Sequence, residues 1–335
     1  MKLGKENMYP LLFKPIYKEV IWGGNMIESH LGREVPKRDM PIGEAWEIVD
    51  RPDAQSIVES GSLQGKTLRE LIETYESSIV GQNYTGKPFP LLVKIIDAGQ
   101  RLSLQVHPDE AACRKLKDAQ PKTEMWYIIA AHKDAKIYCG LSHKATKGSF
   151  INTCQSLDVE KYLQTHRSNP GDAFFISAGT VHAIGEGNLL FEVQQNSDTT
   201  YRISDWGRVG SDGKSRELHL EKAMECIHFI QRSSSKITGV TGTVPHNRKF
   251  PIIQYCSFFK VDDLRLAGKW DDTTIHKGVG SFQIITAVNR SVKIQKENDT
   301  WEIPRGRSAL LPSSFGQYSI LADETTETTV LKTQA

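Results

Sequence analysis

The sequence predicts a mainly β protein interrupted by a few short helices. Apolar and polar residues alternate in brief runs such as DAFFISA at 172–178 and NLLFEVQQ at 188–195, the pattern of strands with one buried face, and Gly179, Gly185 and Gly187 mark tight turns around them. Residues 251–335 repeat the same style in IIQYCSFFKVDDL, SFQIITAV, SVKIQ, RGRSALLP, SILAD and TTVLK. Helical periodicity is confined to short pieces, at about 66–76, 108–120, 158–167 and 217–231.

The 335 residues are 39% hydrophobic, enough for a sizeable core, and the formal net charge of +2 gives no case for bulk nucleic-acid affinity. Five cysteines cannot all pair and contain no C-x-x-C, so they read as reduced thiols of a cytoplasmic protein. The first residues, MKLGKENMYPLLFKP, are too polar for a signal peptide, and no run of eighteen apolar residues predicts a membrane span. Residues 1–235 are expected to form one domain with the helical excursions, 236–250 a Ser/Gly/Thr-rich linker, and 251–335 a second β domain.

In chain order, residues 9–24 end in IWGG, read as a strand end and turn carrying Trp22. GEAWEIVD and SIVES predict strands, with Arg51, Pro52 and Asp53 looping between them. KTLRELIETY predicts a helix, because Thr67 and Glu70 have capping-box spacing. PFPLLVKIIDAGQRLSLQVHP reads as two strands broken at Gly99, with Lys94 inside an apolar run. An unpaired buried ammonium is costly, so Lys94 must pair with a carboxylate, reach solvent or meet an anionic ligand. Pro108, Asp109 and Glu110 begin the next helix, and Asp158 is expected to begin DVEKYLQTHR. His219 and His228 read as surface residues of the last helix.

The density of ionisable groups between residues 171 and 208 departs from that of a plain core strand, with His182, Glu192, Asp198, Arg202 and Arg208 on short strand-like runs. Upstream, Gln105 and His107 are spaced i, i+2 and share one face of a strand. Glu124 opens the strand-like run EMWYIIAA. Gln105, His107, Glu124 and His182 together make a mixed nitrogen and oxygen set suited to a divalent metal, most naturally Zn²⁺, with a position left for water or substrate.

The segments LSLQVHPDE, PKTEMW and SAGTVHAIG, followed by FEVQQNSDTTYR, resemble type I mannose-6-phosphate isomerase, the zinc-dependent cupin class, in its short bacterial form. The resemblance runs from about Trp22 to the C-terminus. It implies a jelly-roll barrel whose second cupin motif falls on Gly171, Gly179 and His182, departing at Ser177, where Pro is usual, and at Glu186, where Asn is common. The 251–335 region then becomes a second cupin-like domain without metal ligands. The implied reaction interconverts mannose 6-phosphate and fructose 6-phosphate through a cis-enediol with one Zn²⁺ per chain. Lys94, Ser103 and Arg208 are placed near the substrate phosphate, Trp22 borders the cleft, and Lys122 falls on the substrate side. Arg202 is expected to act as an electrophile, Glu192 as base or hydroxyl anchor, and Asp198 to orient Arg202. A metal-bound water competes with Glu192 for the base role. The partner is a small sugar phosphate, and the chain is expected as a monomer or homodimer. A different metal-dependent cupin enzyme, such as an Fe-dependent oxygenase, or a non-catalytic sugar-phosphate-binding cupin are the alternatives.

Overall fold

The chain builds two β-sandwiches that share a sheet-to-sheet interface. The computed structural model describes residues 8–37, 39–84, 86–210, 213–230, 236–239 and 247–335. In the first sandwich, an antiparallel seven-stranded sheet runs in the order Lys236–Ile237, Ala173–Ile176, Glu124–Ala131, Asn188–Gln195, Leu91–Ala98, Ile16–Gly24, Ile42–Ile48. A five-stranded sheet runs in the order Leu163–Arg167, Lys136–Leu141, His182–Ile184, Leu104–Val106, Tyr201–Ser204. Between the two lies an apolar cluster that includes Trp22, Ile96, Leu102, Trp126, Phe174 and Ile184. The second sandwich pairs a six-stranded sheet with a four-stranded one around Leu264, Val292, Phe315 and Ile320.

Strand Leu91–Ala98 explains why its sequence reads as an unbroken apolar run. All eight residues are buried, because both faces of the strand are covered. Val93 and Ile95 belong to a cluster that also holds Phe191 and Val193 and reaches Val261, Ile284, Leu310 and Leu331 of the six-stranded sheet. Ile96 and Ala98 belong to the interior of the first sandwich. The seven-stranded sheet is therefore a middle layer, screened from water by the second sandwich on one side and by the five-stranded sheet on the other.

Charged side chains fasten this interface. Glu47, whose side chain is fully buried, takes Arg33 Nη2 at 2.8 Å on one oxygen and Arg307 Nε at 3.0 Å on the other. Arg307 also bonds Glu59 at 2.8 Å and the carbonyl of Phe13. Across the same interface the Tyr127 hydroxyl donates to Asp263 Oδ2 at 3.0 Å and accepts from Arg265 Nη2 at 3.1 Å. The N-terminal strand Leu11–Leu12 pairs with Ser308–Leu311, which places it in the six-stranded sheet of the second sandwich, away from the strands that follow it in sequence. Strand Arg248–Ile253 joins the same sheet, so pairing begins inside the expected 236–250 linker; 240–246 of that stretch lie outside the described residues.

The helices are shorter than their sequence windows. The helix at Leu68–Tyr75 has the expected capping box between Thr67 and Glu70. Those at Glu110–Lys115 and Leu220–Cys226 are trimmed at both ends. The expected helix at 158–167 is instead a 3₁₀ turn, Leu157–Tyr162, followed by a strand, Leu163–Arg167. Ser156 rather than Asp158 caps that turn, and pairing with Lys136–Leu141 overrides helix propensity in the second half. Among the described residues no helix is long and apolar enough to cross a membrane.

Removing one partner of the Glu47 cluster leaves a buried carboxylate short of a cation. Arg307→Ala is expected to lower unfolding stability by about 3 kcal/mol, read as a shifted denaturation midpoint; an unchanged midpoint contradicts the role given to Glu47.

Candidate metal centre and active site

Three buried side chains converge between the two sheets of the first sandwich. His107 follows the strand Leu104–Val106, His182 begins the neighbouring strand of the same sheet, and Glu124 begins a strand of the opposite sheet. His182 lies directly across from Gln105 in the antiparallel register, and Arg202 pairs with Gln105 from the other side. The sharp turn before His182 requires Gly179, whose φ is +84° and where a Cβ would lie 2.6 Å from the His228 ring.

The protonation pattern of this cluster is set by the backbone. His107 Nδ1 lies 3.0 Å from the carbonyl of Thr199, and His182 Nδ1 lies 2.8 Å from that of Thr180. A carbonyl can only accept, so each Nδ1 carries the proton and each Nε2 presents a lone pair. Those lone pairs face a carboxylate: His107 Nε2 is 3.2 Å from Glu124 Oε2, and His182 Nε2 is 3.4 Å from Glu124 Oε1. Neither Nε2 and neither Glu124 oxygen has a hydrogen-bond partner, although the Lys122 ammonium lies 3.0 Å from Oε2.

Burial, reinforced by Lys122, pushes His107 down to about 3, and burial likewise lowers His182, so both rings are neutral. Burial alone would raise Glu124, but the Lys122 ammonium 3.0 Å away holds it well below the ordinary carboxylate range. All three ligand atoms lie within 4.8 Å of one another. Zinc bonds of about 2.0–2.2 Å in a tetrahedron separate ligand atoms by roughly 3.4 Å, so this donor set fits a divalent cation. The fixed Nδ1 bonds are the usual outer support of metal-binding imidazoles.

Beside the cluster opens a cavity of about 340 Å³, lined by Trp22, Glu44, Lys94, Ser103, Gln105, Lys122, Glu192, Asp198, Arg202 and Arg216 among others. Of the residues singled out from the sequence, Trp22, Lys94, Ser103, Gln105, Lys122, Glu192, Asp198 and Arg202 are thus brought together. Lys94 has the required anionic partners, Glu44 Oε2 at 3.3 Å and Glu192 Oε1 at 3.6 Å. Glu192 accepts from Trp126 Nε1 at 2.8 Å, and burial together with the nearby Glu124 charge raises its pKa. Glu44, found only in the structure, was signalled indirectly by the buried Lys94: Trp46 lies opposite Lys94 in register, and Glu44 shares its face two residues earlier.

Arg208 and Arg202 make contacts that differ from those expected. Arg208 does not line this cavity; it lines a neighbouring one of about 500 Å³ with Arg101, Lys136, Tyr138 and Trp206, tied to Asp205 at 3.1 Å and to the Arg101 carbonyl at 2.6 Å. Asp198 lines the cavity together with Arg202. The Arg202 guanidinium donates to the Glu217 carbonyl at 2.7 Å, and its backbone N–H donates to His219 Nδ1 at 3.1 Å, so His219 supports this strand rather than merely facing solvent.

Trp22 reaches the cavity through a close crossing of three chain segments. A Cβ on Gly24 would fall 1.9 Å from Asp97 Oδ1, and the other Asp97 oxygen accepts from the Ile27 N–H at 2.9 Å. Asp97 therefore pins the turn that follows Trp22.

The facing antiparallel sheets and the inward histidine–carboxylate cluster define a cupin with a metal-type site. The family model for phosphomannose isomerase type I, catalytic domain, matches residues 11–138. Mannose-6-phosphate isomerase ManA of Bacillus subtilis is 36% identical over 93% of this chain and 95% of its own. The crystal structure of mannose 6-phosphate isomerase from Bacillus subtilis superposes with a TM-score of 0.83 at 30% identity, covering 97% of this chain and 99% of that one. A mannose 6-phosphate isomerase structure bound with zinc and yttrium shares the fold, with a TM-score of 0.71 at 15% identity over 97% and 99% of the two chains. The chain belongs to the type I mannose-6-phosphate isomerase family, and its activity is aldose–ketose isomerisation.

Burial raises the Asp97 carboxyl to about 6 against 3.8 in a free chain, even though the Ile27 and Met26 N–H groups oppose the shift. The folded state thus binds the extra proton between these values, and the stability it confers is present below about pH 4 and lost as pH rises through about 6, by up to about 3 kcal/mol. Asp97→Asn is expected to flatten the stability–pH curve in that window; an unaltered slope removes Asp97 as its source.

Proposed function

We propose that Gln105, His107, Glu124 and His182 hold one Zn²⁺ per chain, and that the adjoining cavity isomerises mannose 6-phosphate and fructose 6-phosphate by proton transfer between C1 and C2 through a cis-enediol. The observation that carries this reading is the convergence of two imidazole lone pairs and an ionised, buried carboxylate with no proton to share among them. A bound divalent cation would polarise the oxygens of the reacting carbons and stabilise developing negative charge.

The chain's own groups take the remaining roles. Glu192 is the candidate for moving the proton, because its raised pKa brings it closer to the working range of a general base than an exposed carboxylate. Lys94, 3.6 Å from Glu192, biases that carboxylate back toward its charged form, and Trp126 fixes its second oxygen. Arg202 places a guanidinium against the substrate oxygens as an electrophile. Lys122 holds Glu124 ionised and assists at the same oxygens. Ser103 and Asp198 serve as polar contacts to the sugar phosphate, and Trp22 gives the sugar an apolar wall. We further assign the chain to the cytoplasm, acting as a monomer or homodimer without nucleic-acid or membrane partners.

Turnover of mannose 6-phosphate by the purified protein is expected to vanish on chelation and return with added Zn²⁺. Glu192→Gln should lower kcat by about 10²-fold or more while retaining metal. Activity that survives complete chelation, or a Glu192→Gln enzyme of normal kcat, contradicts the corresponding assignment.

A further inference from the structure

Arg216 has no role in the reading above, yet its side chain lines the same cavity as Ser103 and Arg202. It is held in place rather than left to sample solvent. Asp205, itself buried, accepts from Arg216 Nε at 2.8 Å and from Nη2 through its other oxygen. The same carboxylate takes Arg208 Nη2 at 3.1 Å. One carboxylate thus anchors two guanidiniums, Arg216 at the cavity and Arg208 at its neighbour, and leaves a surplus of positive charge.

The other cations of the cavity are already compensated. Lys94 lies between Glu44 and Glu192, and Lys122 lies against Glu124. An anion delivered to either ammonium would also meet those carboxylates. By contrast, Arg202 has no carboxylate partner among the described residues, and Arg216 shares its one carboxylate, Asp205, with Arg208. Among the described residues the Arg202 Nε is buried without a hydrogen-bond partner, and its guanidinium finds only the Glu217 carbonyl. Burial and the neighbouring Arg216 charge, more than Arg208, press the Arg202 pKa down. A guanidinium donor left unmet beside a second guanidinium suits a negatively charged substrate. The Asp205 clamp uses the Nε and Nη2 edge of Arg216, so Nη1 remains available to such an anion.

We propose that Arg216, positioned by Asp205, receives the phosphate of the sugar substrate, while Arg202 keeps its place against the oxygens of the reacting carbons. The inference rests on the sugar-phosphate reading of the cavity and supplies the cation that Arg208, on the far side of Asp205, does not. It sets the substrate's direction: the phosphate lies at the Arg216 end and the reacting carbons toward Arg202, His107, Glu124 and His182.

The test separates binding from turnover. Inorganic phosphate is titrated calorimetrically into the zinc-loaded wild-type protein and into Arg216→Ala, with metal content and melting temperature measured in parallel. The variant is expected to bind phosphate about 10- to 100-fold more weakly, with wild-type metal content, and Arg216→Lys to recover part of the loss. In turnover, Arg216→Ala should raise KM for mannose 6-phosphate by a similar factor and change kcat much less. Undiminished phosphate affinity in folded, metal-replete Arg216→Ala overturns the proposal. Should that variant fail to fold, the same titration on Arg216→Gln decides it by the same criterion. A wild-type protein that binds phosphate through Arg216 but turns over no mannose 6-phosphate would overturn the isomerase reading while leaving the phosphate site standing.

Discussion

The structure is organised around the Glu124 carboxylate and the two imidazoles that point at it. His107 and His182 each spend their Nδ1 proton on a backbone carbonyl, which forces their lone pairs inward. Four acceptor atoms therefore face one another in a region excluded from water. Such an arrangement is electrostatically unfavourable unless a cation sits among them. The Lys122 ammonium, at 3.0 Å, offsets part of the cost at one oxygen only.

Holding these groups together requires a stiff frame, and the two sandwiches supply it. The seven-stranded sheet that carries Glu124, Glu192 and Lys94 is buried on both faces, so its strands have little freedom to shift register. The second sandwich bears no counterpart of the histidine–carboxylate cluster among its described residues, but it covers the outer face of that sheet and fastens it through Glu47, Arg307, Tyr127 and Asp263. It thereby backs the sheet that forms one wall of the cavity.

Much of this was legible in the sequence. The mainly β architecture followed from period-two alternation, and the histidine–carboxylate set followed from a dyad at 105 and 107 combined with residues in two later strands. The capping box at Thr67 was visible because its interactions are local. What escaped was long-range. Arg208 and Arg216 share the Asp205 carboxylate, and only the folded arrangement shows that Arg216 lines this cavity while Arg208 lines its neighbour. Glu44 is separated from Lys94 by fifty residues, so only strand register brings them together. The segment at 163–167 has helical company on its N-terminal side, yet a neighbouring strand captures it. In the same way the N-terminal strand joins a sheet built almost wholly from the far end of the chain, a pairing that no local pattern encodes.

The most direct test of the central claim is calorimetric titration of chelated protein with Zn²⁺, with circular dichroism recorded before and after. A pre-formed set of inward donors predicts saturation near one equivalent, little change in secondary structure, and loss of that binding in a folded His182→Ala variant. Absence of saturable binding, or binding that persists unchanged without His182, would contradict the account.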